Sequence, residues 1–212
     1  MGNVIVELSM SLDGFVAGPN DSPEQPLGDG GERLFQWYSS GDTAFPLPGT
    51  DMVFNISRTS AELLREEWDK LGAMVTGRRM FDIAGAWGGK PPGGGPCFVV
   101  THAVPQEWAK AGSPFTFVTD GVESAIRQAK QAAGAKNVSA SSASIAQQCL
   151  KLGLLDEIQI DLVPVLLGGG VRLFDHLGTT PIELESIGVI AAPGITHLKF
   201  RVVKSQGVRS RR

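Results

Sequence analysis

The stretch "CLKLGLLDEIQIDLVPVLLGGGVRLF", Cys149 to Phe174, decides how this chain is read. A helical pattern stops at Gly153, a long apolar run comes next, and three glycines close it. Glycines after a strand can bring backbone amides around a phosphate at a helix N-terminus, or they can simply let the chain turn. A phosphate cradle needs a helix behind it. Gly168 to Gly170 are succeeded by "VRLF", too short and too apolar to be one, so the triplet reads as a turn. Any nucleotide site must then lie at another strand end.

Outward from this block, short β-rich runs alternate with helical patterns. "VIVELSM" (4–10), "AMVTG" (73–77), "CFVVT" (97–101), "FTFVT" (115–119) and "NVSAS" (137–141) read as strands. "GERLFQWYSS" holds about two helical turns, and "RRMFDIAGAW" is a further helical segment. "TSAELLREEWDKLG" (59–72) carries Thr59 or Ser60 as cap, and "DGVESAIRQAKQAAG" (120–134) has Asp120 as cap, Glu123 in capping-box position and Gly134 as stop. "SIAQQCLKLG" is the helix before Gly153. Extended runs at 156–167, near 182–190 and at 196–204 finish the chain, the last two without a helix between them. Strand–helix alternation calls for parallel crossovers with helices on both faces. The expected fold is therefore a three-layer, doubly wound α/β domain. Its mixed sheet ends in an antiparallel C-terminal strand pair, and one domain covers 1–204. Residues 205–212, with "RSRR", read as a basic solvated tail.

Composition removes several function classes. The 212 residues carry a net charge of −3, which offers no basic field to attract nucleic acid. No stretch reaches the ~20 apolar residues that span a bilayer. "NVIVELSM" lacks a charged leader and a cleavage site, so a cytoplasmic protein is expected. Cys97 and Cys149 read as buried hydrophobes, and without CxxC or HExxH no metal site is expected.

Ligands of open α/β sheets gather outside the carboxyl ends of the strands. No GxGxxG or Walker pattern stands at a strand–helix junction, and the glycines of "GGGPCFVV" precede a strand. The junction "VTGRRM" offers Gly77 for close approach and Arg78 and Arg79 for a phosphate. "VVTHAV" adds Thr101 and His102 as donors. Alone, the first junction reads better as a surface arginine pair capping a turn and the second equally well as a plain polar loop. Together, each at a strand C-terminus, they favour an anion site.

On "SMSLDGFVAG", "VTGRRMFD", "FVVTHAVP" and the opening block, the chain resembles the dihydrofolate-reductase-like superfamily. The resemblance is to the group related to the C-terminal reductase domain of riboflavin biosynthesis. It implies NADPH bound across the strand ends, with Gly77, Arg78 and Arg79 on the 2′-phosphate side and Thr101 and His102 assisting. Val16 and Ala17 would lie beside the nicotinamide, in a loop shaped by Asp13 and Gly14. The resembling reductases carry a Gly-Gly pair with a cis peptide at the pyrophosphate. Here "SASSAS" places Ser141 and Ser142 at those positions, with Ala143 next, so a crowded loop is expected.

Folate-type reductases hold a carboxylate on their first helix. Glu32 falls nearest that place, although a carboxylate at a helix N-terminus also has a plain electrostatic reason to be there. Asp161 is a second catalytic candidate, or else an outward residue of an alternating strand. Phe35, Trp37 and Trp87 are candidate walls for a flat substrate, or core. No Ser/His/Asp arrangement points to hydrolysis, and no deaminase zinc motif is present. The expected function is NADPH-dependent reduction of a small pterin-like or pyrimidine-like heterocycle by a homodimer. The alternative is a non-catalytic dimer that binds a nucleotide or flavin.

Overall fold

In this computed structural model residues 1–204 are described, and the basic tail expected over 205–212 lies outside the described residues. Twelve strands form: β1 (Val4–Ser11), β2 (Phe15–Ala17), β3 (Thr43–Pro46), β4 (Val53–Ile56), β5 (Leu71–Gly77), β6 (Cys97–Val100), β7 (Phe115–Val118), β8 (Asn137–Ala140), β9 (Glu157–Val163), β10 (Val171–Arg172), β11 (Leu184–Ala192) and β12 (Ile195–Val202). Four α-helices join them: α1 (Arg58–Asp69), α2 (Arg78–Ile83), α3 (Val122–Ala133) and α4 (Ala143–Lys151).

Eight strands make one sheet in the order β11-β12-β9-β1-β8-β5-β6-β7. From β9 to β7 all neighbours are parallel, whereas β12 and β11 run antiparallel and complete a mixed sheet. The fold is the three-layer, doubly wound α/β arrangement with an antiparallel C-terminal pair. Strand alternation decides which residues meet which layer. Val4, Val6, Ile158 and Ile160 face α3 and α4 and build the largest core with Ala125, Ile126 and Ile145. On the opposite face, Leu34 and Leu64 pack in one cluster, while Phe81 of α2 packs against Met74, Cys97 and Val99 in another. Among the described residues no helix is long and apolar enough to cross a membrane.

Local details depart from the sequence expectation where side chains choose their own partners. Helix α1 is capped by Ser57, whose Oγ accepts the Ser60 amide at 3.1 Å, instead of by Thr59 or Ser60. Gly121, with φ of 98°, caps α3 in place of Asp120. "GERLFQWYSS" winds as a 3-10 helix over Gly31–Ser39. "RRMFDIAGAW" leaves α-helical geometry at Ala84 and turns through left-handed conformations at Ala86 and Trp87. Strands β3 and β4 form a separate hairpin that the sequence pattern does not announce.

The glycine triplet is a turn held by a carboxylate. Asp13 accepts the amide of Leu167 at 3.1 Å through Oδ1 and the amide of Gly168 at 2.8 Å through Oδ2. The Ser11 hydroxyl, together with these two amides, holds the Asp13 carboxyl down at about 2. Gly170 has φ of 126°, and a Cβ there would stand 2.0 Å from the Ala17 carbonyl oxygen, so only glycine passes. Amides already taken by Asp13 are not available to a phosphate.

Candidate active site

Two polar rungs cross the sheet on the face beneath α1. Glu7 of β1 stands opposite Gln159 of β9, which stands opposite Lys199 of β12. Two residues further along, Ser9 pairs with Asp161 and Asp161 with His197. Helix α1 lowers Glu67 and Ser60 onto these rungs. Glu67 accepts Gln159 Nε2 at 2.9 Å and Lys199 Nζ at 3.1 Å. Asp161 Oδ1 lies 2.6 Å from His197 Nδ1, and His197 Nε2 lies 2.9 Å from Ser60 Oγ. The Trp37 indole N–H donates to Ser9 Oγ at 3.1 Å.

Among the described residues each of these groups has a partner except Glu7, whose carboxyl is perturbed by burial and by charges. Burial pushes Glu7 up to about 8, the negative charges of Asp161 and Glu67 add to the rise, and Lys199 offsets part of it. At neutral pH it is largely a neutral acid.

This acid lies in the floor of a cavity of about 270 Å³. Ser9 and Asp161 share the floor, and Phe35, Tyr38 and Trp68 supply aromatic surface. Tyr38 is fixed by stacking on Trp37 at 4.0 Å and Phe54 at 4.3 Å between ring centroids. Burial, reinforced by Asp161 and Glu7, pushes its phenol well above the ordinary range, so it stays protonated. The cavity also reaches Val16, Ala17, Arg79 and the loop Ser141 to Ser144. That loop enters α4, whose N-cap residue Ser142 makes no side-chain capping bond. Gly77 fits against it closely: a Cβ there would stand 3.0 Å from Ser144 Oγ.

The structure thus gathers Val16, Ala17, Arg79, Ser141, Ser142, Ala143, Phe35 and Asp161 around one cavity. Asp161 is buried and paired, not turned to solvent. Gly77 and Arg78 stand one step behind the wall. Arg78 is ion-paired with Asp82 at 2.8 Å and donates to the Ala103 carbonyl, while Arg79 is held by Asp21 at 2.7 Å. Thr101 donates to Ala103 within its own loop, and His102 is exposed beside it.

Besides Gly77, Arg78, Thr101 and His102, none of which lines the cavity, three more expected residues lie away from it. Glu32 is exposed, because the 3-10 winding buries Gly31 and Leu34 and leaves Glu32 outside. Trp37 is core, committed to Ser9 and Tyr38. Trp87 packs on Phe81 and Phe115 in the cluster around α2. At the serine run the backbone is regular. Ser142 is extended (φ −161°), no described peptide is cis, and its hydroxyl accepts the Gly77 amide at 3.3 Å.

Ser60, His197 and Asp161 form a serine–histidine–aspartate series that the sequence does not reveal. Ser60 is only 1% exposed and also contacts Ser57 Oγ at 3.0 Å, so no acyl substrate can reach it. The series acts as a buried brace. Glu7, Tyr38, Trp68 and His197 all escape a reading of the sequence. The one available signal is a charged residue inside the apolar strand "VIVELSM".

Comparison with known proteins sets this chain in a family. Residues 3–196 match the model of the RibD C-terminal domain. The chain belongs to the RibD C-terminal domain family. Among solved structures, a protein of Shewanella sp. PV-4 assigned to riboflavin biosynthesis matches with a TM-score of 0.69 at 20% identity, covering 95% of this chain and 99% of that one. Dihydrofolate reductase from Enterococcus faecalis, complexed with NADP(H), gives a TM-score of 0.54 at 9% identity over 96% and 98% of the two chains. The Thermotoga maritima diaminohydroxyphosphoribosylaminopyrimidine deaminase/5-amino-6-(5-phosphoribosylamino)uracil reductase gives 0.58 at 12% identity, covering 95% of this chain and 57% of that one. At these identities the likeness is one of fold. No curated protein matches the sequence.

Proposed function

We propose that this chain is a reductase that uses NADPH to reduce a small, flat heterocycle of the pterin or pyrimidine kind. One observation carries the reading: a single cavity joins an aromatic, acid-floored region to a second region bearing Arg79 and the N-terminus of a nine-residue helix. The first suits a planar ring that needs a proton. The second suits an anionic cofactor, since uncapped amides at a helix N-terminus attract phosphate.

The residues present fit that cofactor. Val16 and Ala17 offer an apolar wall to a nicotinamide. The Ala143 and Ser144 end of α4 would hold the pyrophosphate. Arg79 would hold the 2′-phosphate after leaving Asp21, an exposed pair of the kind that contributes little by itself. When bound, the cofactor supplies hydride, and the protein orients the acceptor and provides the proton. The Enterococcus enzyme of the same fold, whose structure holds NADP(H), supports this assignment.

Titration followed by cofactor fluorescence tests it. NADPH is expected to bind more tightly than NADH, and Arg79→Ala to weaken NADPH alone by roughly ten- to a hundredfold, the value of ~1.5–3 kcal/mol for a charged hydrogen bond. Equal affinities would remove Arg79 from the phosphate site. Failure to bind either cofactor would favour the non-catalytic nucleotide- or flavin-binding reading.

The same reading includes a twofold dimer. Edge strand β11 exposes Val189 by 63% and Leu184 by 44%, and an exposed apolar edge strand invites pairing with another chain. Sedimentation at micromolar concentration is expected to give about twice 22.4 kDa, and a mass near 22.4 kDa would contradict it.

A further inference from the structure

Glu7 and Asp161 border two cavities. One is the acid-floored cavity of the candidate site; the other, of about 230 Å³, lies laterally between α1 and the β11–β12 pair. The lateral cavity is lined by Leu63, Ile190 and Leu198, with exposed Glu66 and Lys70 at its rim. Asp161 is occupied by His197, and Glu67 by Gln159 and Lys199. Glu7 is the carboxyl left with no hydrogen bond among the described residues, and it stands where the two cavities meet.

We propose that Glu7 is the proton donor of the site and that the lateral cavity is the path by which solvent protonates it again. This rests on the reductase reading. When a C=N bond is reduced, the ring carbon gains the hydride supplied by the reduced nicotinamide. The π electron pair forms a bond from the ring nitrogen to the Glu7 proton, and Glu7 is left as a carboxylate. The heterocycle is reduced, the cofactor is oxidised, and a proton from solvent restores the acid. A second opening matters because the substrate and cofactor fill the first. A cavity of this size, with Glu7, Gln159, Asp161 and Lys199 among its otherwise apolar walls, has room and polar partners for ordered water.

The charge environment keeps the donor loaded. Facing Glu7 are Asp161 on β9, His197 and Lys199 on β12, Glu67 on α1, and the neutral phenol of Tyr38. Two carboxylates oppose one lysine, which disfavours a third negative charge. Burial is the larger cause, and together they place the Glu7 midpoint at about 8.

The full chain, labelled with carbon-13 at the glutamate carboxyls, provides the first test. The resonance missing from Glu7→Gln is expected to titrate near 8. A midpoint in the ordinary carboxylate range would overturn the donor, because an ionised group has no proton to give. The route is read from the carbonyl stretch of the protonated acid after rapid mixing into deuterium oxide. Gly188→Phe fills the lateral cavity; a Cβ at that position meets Lys199 Cβ at an ordinary 3.5 Å. Leu63→Trp fills it from the α1 side should the first variant not fold. Slower exchange in the folded variant, with the main cavity free, supports the route, and an unchanged rate overturns it. For a heterocycle that the wild type reduces, Glu7→Gln is expected to lose about 10²–10⁴-fold in kcat with NADPH affinity unchanged, and an unchanged kcat overturns the donor. The first two readouts need no cofactor, so a failure to bind NADPH would defeat the reductase reading and leave them standing.

Discussion

His197→Ala is expected to destabilise the fold by about 3 kcal/mol, the upper end of the range for leaving a buried hydrogen-bonding group without its partner. The imidazole is 5% exposed and lies 2.6 Å from an Asp161 that is 6% exposed. Without it, the carboxylate faces Glu7 and a paired Glu67 with no compensating donor, and the Ser60 hydroxyl loses its contact as well. For a chain of this size each kcal/mol moves the melting temperature by about 2–4 °C, so a fall of roughly 6–12 °C is expected. Converting Asp161 to Asn in the same background removes the orphaned charge and should recover part of the loss. A melting temperature within about 2 °C of wild type would mean that the histidine does not brace the site.

Glu7→Gln is expected to change how stability depends on pH. In the folded chain the Glu7 carboxyl keeps its proton up to about pH 8, whereas its ordinary midpoint is 4.5. A group raised on folding contributes its full stability below the unfolded midpoint and loses it as pH rises through the folded one. Wild-type stability should therefore fall between about pH 4.5 and 8, by on the order of a few kcal/mol at about 1.4 kcal/mol per pH unit. The glutamine variant, which has no proton to lose, should stay nearly level over that window. Urea unfolding at pH 5 and at pH 9 compares the two, and parallel behaviour would show that Glu7 ionises normally.

Most of the sheet is legible in the chain because its signals are local. Gly134 and Gly153 end helices, β-branched runs make the parallel strands, and the missing helix between 190 and 196 forces an antiparallel pair. Helix caps shift by a few residues because Ser57 Oγ takes the Ser60 amide and because Gly121 supplies the φ of 98° at which the chain enters α3. The site is less legible, for a topological reason. Glu7 meets Gln159 and Lys199 only through strand register, and Ser60 meets His197 across 137 positions. Glu32 stands out by its place on the first helical segment, but a 3-10 helix has about three residues per turn and carries it to solvent. Arg79, Ser141 and Ser142 are legible because they stand at strand ends, where ligand sites gather in such sheets.

The central claim is that the nicotinamide of NADPH lies against Val16 and Ala17, within reach of an acceptor above Glu7. The most direct measurement uses chain labelled at its valine and alanine methyls, saturated with NADPH, and records magnetisation transfer from the nicotinamide C4 protons. Transfer to the Val16 and Ala17 methyls, assigned by Val16→Ile and Ala17→Ser, is the predicted result. Saturable NADPH binding that leaves both methyls unperturbed would place the cofactor elsewhere and contradict the claim.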